Sequence, residues 1–201
     1  MYLRLWLLSL IFPLTAKMLD VDVNAHSAIL MNADTGAILF EKVPHTRSYP
    51  ASTTKIATML YVLELGIDLD TLFTVSAESL RYKPKNDQED IHPYWLETDG
   101  TLMYLKKGEQ ISLDALLHGL MLVSGNDAAN TIAECVGGTI PDFVDSLNEY
   151  LESIGCHNTQ FQNPHGLTHP AHFSTAYDLA IMTKRALQFP KFRQIVSTLN
   201  Y

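Results

Sequence analysis

The chain has 201 residues, 47% apolar and 18% charged, which allows one domain with a real core and excludes a disordered chain. A formal net charge of -8 without a clustered basic surface excludes a nucleic-acid backbone as partner. Cys135 and Cys156, the only cysteines, are too few for a disulfide framework.

Residues 1–16 read as a leader. One charge, Arg4, precedes an apolar run over 5–14 and then Thr15-Ala16, where a small residue suits a cleavage site. The run is shorter than the roughly 20 apolar residues that a membrane span needs, so a secretory signal peptide and an exported, periplasmic or cell-envelope address are expected. Residues 17–201 are then one domain.

Residues 27–32 and 37–42 are strand-like runs joined by Ala33-Asp34-Thr35-Gly36, whose Asp and Gly suit a tight hairpin turn. Residues 44–50 cannot continue the strand, and Pro50-Ala51-Ser52 opens a helical pattern to Leu65 with Gly66 as its stop, which puts Ser52 at a helix beginning. Residues 80–100 are charged, aromatic and Pro-containing without periodicity, and read as a long surface excursion. Within it Lys83 and Lys85 are offset by Asp87, Glu89 and Asp90, as in a solvated loop. Lys107-Gly108-Glu109 looks like a turn, and Ser112 with Asp114 and Ala115 opens a helix through Leu122. A helix over 127–136 ends at Gly137-Gly138; Cys135 falls in its apolar stretch and is expected buried, a bridge to Cys156 being the lesser alternative. Phe143, Val144, Leu147 and Leu151 recur at helical spacing over 141–154, and residues 174–187 repeat the pattern. No strand is expected beyond the hairpin, which is marginal alone in water and needs covering by other elements.

Two motifs carry chemistry, Ser52-Thr53-Thr54-Lys55 and Ser124-Gly125-Asn126. A serine hydroxyl needs an adjacent base to attack a carbonyl, and residues three apart share a helix face, so Lys55 can reach Ser52. Lysine can act as that base only if desolvation or a cationic neighbour lowers its pKa. Ser52 at a helix start also gains from backbone N–H groups and the positive dipole end, which favour an oxyanion. Ser124 could relay the proton to a leaving amine, and Asn126, both donor and acceptor, could hold a peptide backbone. Either motif alone is weak, since ordinary residue frequencies yield Ser-x-x-Lys about once in a couple of hundred residues. Their order and their placement at a helix start and an interhelical loop favour acyl transfer.

These residues resemble the serine D-alanyl-D-alanine carboxypeptidases, the low-molecular-mass penicillin-binding proteins. The resemblance includes Tyr49-Pro50-Ala51-Ser52-Thr53-Thr54-Lys55, Met103-Tyr104-Leu105-Lys106-Lys107-Gly108-Glu109 into Leu116-Leu117-His118-Gly119-Leu120, Ser124-Gly125-Asn126-Asp127-Ala128-Ala129, and Asn163-Pro164-His165-Gly166-Leu167 before Ser174-Thr175-Ala176, in the family's order. It implies an α+β penicillin-binding or β-lactamase-like transpeptidase domain, a helical cluster beside an antiparallel sheet. It also implies Ser52 as nucleophile, Lys55 as general base, Ser124 as catalytic partner, Asn126 in substrate binding, and no metal or organic cofactor. The substrate implied is the peptidoglycan stem peptide, with penicillins acylating the same serine. No Lys-Thr-Gly triplet follows Asn126. The expectation is therefore a partial domain at 17–201, without the C-terminal sheet strands, with an exposed hairpin edge, and with membrane association through a further C-terminal segment as one option.

Three other readings compete. A serine β-lactamase of the Ser-x-x-Lys class needs an acid for its deacylating water, and residues 153–177 contain no Asp or Glu. A catalytically incomplete peptidoglycan- or penicillin-binding module would keep the pocket without turnover. His165, His169 and His172 share one loop and could bring imidazoles onto a metal, although Pro164, Gly166 and Pro170 favour a structured turn.

Overall fold

The computed structural model describes residues 21–84, 92–199 and 201. The leader expected at 1–16 and the charges of Lys85, Asp87, Glu89 and Asp90 lie outside the described residues. Strands β1 (Ala28–Met31) and β2 (Ile38–Lys42) pair antiparallel, with Ala28 opposite Lys42, Leu30 opposite Phe40 and a register shift between Leu30 and Met31. Their turn closes on Asn32, whose Oδ1 accepts from the N–H groups of Asp34 and Thr35. The expected hairpin is present, and among the described residues its two strands pair only with each other.

A 3-10 turn (Ala51–Thr53) leads directly into α1 (Thr54–Glu64). Ala57, Met59, Leu60 and Val62 on this helix are buried on more than one side, so it cannot lie on a surface. It packs against α2 (Leu113–Leu122), α3 (Asn126–Gly137), α4 (Ile140–Ser153) and α5 (Ala176–Ala186). That central position carries the polar side chains of Thr54, Lys55 and Thr58 into the interior. Side-chain caps start three of the surrounding helices. The hydroxyls of Ser112, Thr139 and Thr175 accept from the N–H groups of Ala115, Asp142 and Asp178, at 3.2, 3.2 and 3.1 Å, contacts of about 1 kcal/mol each.

The described residues contain more than the sequence leads one to expect. Strands β3 (Leu72–Thr74) and β4 (Gln110–Ser112) form a second antiparallel pair, too short at three residues each to show alternation in the sequence. A last helix, α6 (Pro190–Val196), follows α5, with Phe192 and Ile195 buried. Cys135 is exposed, contrary to expectation: the buried face of α3 is Ala128, Ala129, Ile132 and Ala133, and Cys135 falls at its flank. Both thiols are free, and Cys156 is the buried one. Residues 80–100 are not simply a surface excursion either, because Tyr94 and Leu96 are core residues. Leu96 N–H donates to Arg81 O, and Lys83 N–H to Leu96 O, which ties the two described arms together.

The architecture is α+β, a helical cluster beside small antiparallel sheets. Among the described residues no helix is long and apolar enough to cross a membrane.

Candidate active site

Ser52 lies in the exposed 3-10 turn, and Lys55 lies behind it in the first turn of α1, with only 2% of its surface exposed. Lys55 Nζ donates to Asn126 Oδ1 at 2.7 Å, to the carbonyl of His165 at 2.8 Å and to Ser52 Oγ at 3.3 Å. An ammonium has three N–H donors, and all three are used. Loss of one proton can leave two N–H groups on Asn126 and His165 and turn the lone pair toward Ser52 Oγ–H.

Electrostatics bring that proton within reach. Desolvation of the buried ammonium lowers the Lys55 pKa from 10.5 to about 8, against the nearby carboxylate of Asp127, which raises it. Asp127 also orders the wall of the site: its Oδ1 accepts from Met103 N–H and its Oδ2 from Leu105 N–H, at 2.8 and 3.0 Å.

The His165 carbonyl is aimed by a loop, residues 156–175, that is clamped from both flanking helices. Asn148 on α4 makes a reciprocal pair with the backbone of Phe161, at 2.9 and 2.8 Å. Asp178 on α5 accepts from Asn158 N–H and Thr159 Oγ1, both at 2.8 Å. Thr58 on α1 donates to Pro164 O at 2.6 Å, and Asn163 Oδ1 accepts from the N–H groups of His165 and Gly166. The side chain of Asn163, and with it the 163–167 turn, is therefore as much a part of the site as the lysine.

The structure brings Ser52, Lys55 and Asn126 into one bonded set. Ser124 stands beside it, between Val123 and Gly125, in a left-handed conformation (φ 58°) that a non-glycine residue adopts at a cost of order 1 kcal/mol or more. Its Oγ is buried without a hydrogen-bond partner among the described residues, while its carbonyl accepts from Thr101 Oγ1 at 2.8 Å. This hydroxyl, without a partner among the described residues, lies two positions before Asn126 at the start of α3.

The histidines do not gather around a metal. Nδ1 of His172 accepts from Gln162 N–H, so its Nε2 carries the proton and donates to Thr54 Oγ1 at 2.9 Å. Nδ1 of His165 accepts from Leu167 N–H, and its Nε2–H donates to Tyr94 O at 3.0 Å. Burial holds His165 near pKa 3 and His172 near pKa 4, so both rings are neutral at pH 7. Among the described residues no group of three or more His, Cys, Asp and Glu is placed to hold a metal ion. The contributions of Thr58, Asn163 and the His165 carbonyl carry no local sequence signal apart from the Asn-Pro-His-Gly-Leu run, because they depend on contacts between residues about a hundred positions apart.

An α+β domain with a surface serine one helical turn ahead of a buried lysine of lowered pKa has the make-up of the serine acyl-transfer enzymes. The chain belongs to the D-alanyl-D-alanine carboxypeptidase family, whose model matches residues 14–200. It is 34% identical over 175 residues to the D-alanyl-D-alanine carboxypeptidase DacF of Bacillus subtilis, covering 87% of this chain and 42% of that one. It is 34% identical over 186 residues to DacA of Haemophilus influenzae, covering 90% and 44%. Penicillin binding protein 6B from Escherichia coli superposes with a TM-score of 0.77 at 32% identity, covering 90% of this chain and 56% of that one. The chain thus spans less than half the length of the two curated relatives named.

Proposed function

We propose that this chain carries the nucleophile and base of a serine D-Ala-D-Ala carboxypeptidase that trims peptidoglycan stem peptides. The observation that supports it most directly is the 3.3 Å approach of Lys55 Nζ to Ser52 Oγ, with the other two N–H groups already anchored. Neutral Lys55 takes the proton of Ser52 as Oγ attacks the carbonyl of the penultimate D-Ala, forming the Oγ–C bond. The proton then passes to the amine of the terminal D-Ala, by way of the unpaired Ser124 hydroxyl, as the C–N bond breaks. Asn126 Nδ2, opposite the oxygen that holds Lys55, is the group available to a substrate carbonyl. Water resolves the acyl-Ser52 ester. A β-lactam follows the first half of this path, its ring amide standing for the peptide.

The test is the intact mass of the folded chain and of Ser52→Ala after incubation with a penicillin. A Ser52-dependent adduct of the drug's mass is expected; a folded chain that acquires none overturns the reading. Release of D-Ala from a stem-peptide mimic then separates turnover from a pocket that only binds. The leader at 1–16 supports an exported address for this activity, and recovery of the expressed protein from the cytoplasm with residues 1–16 intact would count against it.

A further inference from the structure

Residues 92–105 have no direct part in the chemistry above, yet they back both of the fixed acceptors of Lys55. Tyr94 O accepts from His165 Nε2 at 3.0 Å and from Asn130 Nδ2 at 2.8 Å, and Pro93 O accepts from Asn163 Nδ2 at 3.1 Å, so this stretch holds the turn whose carbonyl binds Nζ. Farther along, Asn126 N–H donates to Thr101 O at 2.8 Å. Gly100 lies so close to Asn126 that a Cβ there would sit 2.9 Å from Nδ2 and 3.1 Å from Glu97 O. The stretch is anchored in turn by Glu78, whose Oε1 accepts from Tyr94 Oη at 3.1 Å and from Trp95 Nε1 at 3.3 Å. Its Oε2 pairs with Arg81, which stacks on the Trp95 ring.

We propose that residues 92–105 are a strap that sets the position of the Lys55 amine through His165 and Asn126, and that Glu78, which anchors the strap by Tyr94 and Trp95, is a positioning residue for acyl transfer. The proposal rests on the acyl-transfer reading above for its relevance to catalysis, but not for its geometry. A carboxylate with three hydrogen-bonding partners at the foot of the strap, one of which stacks on another, explains why an irregular segment can deliver two backbone acceptors, Pro93 O and Tyr94 O, to a buried loop. It also explains why this stretch, without periodicity in sequence, buries Tyr94 and Leu96. The groups that face Lys55 are few. Asp127 on α3 acts on it directly, His165 in the 156–175 loop is neutral, and His172 and Lys83 act on His165, His172 being neutral and Lys83 paired with Glu97 at 2.6 Å. Movement of the strap therefore reaches the lysine mainly through solvent access and through its two acceptors.

The experiment is an NMR titration of the Lys55 side chain, read at its ε carbon in wild type, Glu78→Ala, Glu78→Gln and Gly100→Ala, each first shown to unfold cooperatively. Wild type is expected to titrate near pH 8. Loss of the anchor in Glu78→Ala admits water and relieves desolvation, moving the midpoint up by about half a pH unit or more. Glu78→Gln keeps an acceptor oxygen for Tyr94 and Trp95 and returns it to the wild-type value. Gly100→Ala pushes Asn126 off the ammonium without opening the core, so its midpoint moves down. The strap is supported when a folded variant moves the midpoint in its stated direction, and overturned when Glu78→Ala and Gly100→Ala, both folded, titrate as wild type does. The acylation constant of the same proteins with a penicillin should fall about tenfold in Glu78→Ala. A wild-type chain that forms no Ser52 adduct would sink the acyl-transfer reading while the titration still decides the strap.

Discussion

Gly166 lies against Ala51 so closely that a Cβ on it would fall 1.9 Å from the Ala51 carbonyl oxygen, with the Gly166 backbone at φ 95°. The 163–167 turn and the turn that presents Ser52 are therefore seated on one another, and the position of the nucleophile is set from behind by a residue more than a hundred positions away.

Gly166→Ala should accordingly be among the most damaging small substitutions in the chain. It combines a left-handed backbone that L side chains resist with a collision against main chain that cannot rotate aside. A loss of about 3 kcal/mol or more is expected in urea unfolding, together with loss of Ser52 acylation in the fraction that remains folded. A variant with wild-type stability would show that the two turns are not in this contact.

The rate of acylation should follow the ionisation of Lys55. Below about pH 8 the lysine is mostly protonated and cannot accept the serine proton, so the rate should climb about tenfold per unit and level off above that pH. Because the Asp127 carboxylate stabilises the ammonium, Asp127→Asn should move this midpoint to lower pH. Stopped-flow acylation between pH 5.5 and 9.5 reads both; a flat profile would remove Lys55 from the role of base.

Acid should weaken the fold through His165 and His172. Both are held neutral by burial, near pKa 3 and 4, while in the unfolded chain they take up protons near 6.5. The unfolded state then binds more protons than the folded state below that pH, so stability present above pH 6.5 is lost as pH falls toward 4, by up to about 1.4 kcal/mol per unit for each ring. Urea midpoints at pH 7 and pH 5 should differ clearly. Equal midpoints would mean that the rings are not buried in the neutral form.

The two thiols should behave differently. Cys135 is exposed and Cys156 buried, and burial raises the thiol pKa of both, that of Cys156 to about 12. A disulfide-exchange reagent at pH 8 should find one slowly reacting thiol in the folded chain and two after denaturation. An intact mass lower by two hydrogens would instead reveal the Cys135–Cys156 bridge.

Much of this domain is local and therefore readable along the chain. The hairpin follows from strand-like runs around Asp34 and Gly36, α2 from the Ser112 cap, α4 from apolar residues at helical spacing, and the two motifs from their order. The apolar stretch around Cys135 misleads because helical periodicity gives a face, but the edge of that face is decided by what packs on it. Strands β3 and β4 are too short to carry a pattern, and residues 80–100 have no periodicity to reveal that Tyr94 and Leu96 are core.

The sequence by itself determined the helices from α1 to α5, though not the short α6, and placed Ser52 and Lys55 on one helical turn, since capping, spacing and propensity act over a few residues. Only the tertiary structure decided that Lys55 is buried, that Asn126 and the His165 carbonyl hold its amine, and that Tyr94 and Gly166 back the turns that do so. Desolvation and hydrogen-bond direction arise between segments distant in the chain, so they exist only once α1 is enclosed by its neighbours.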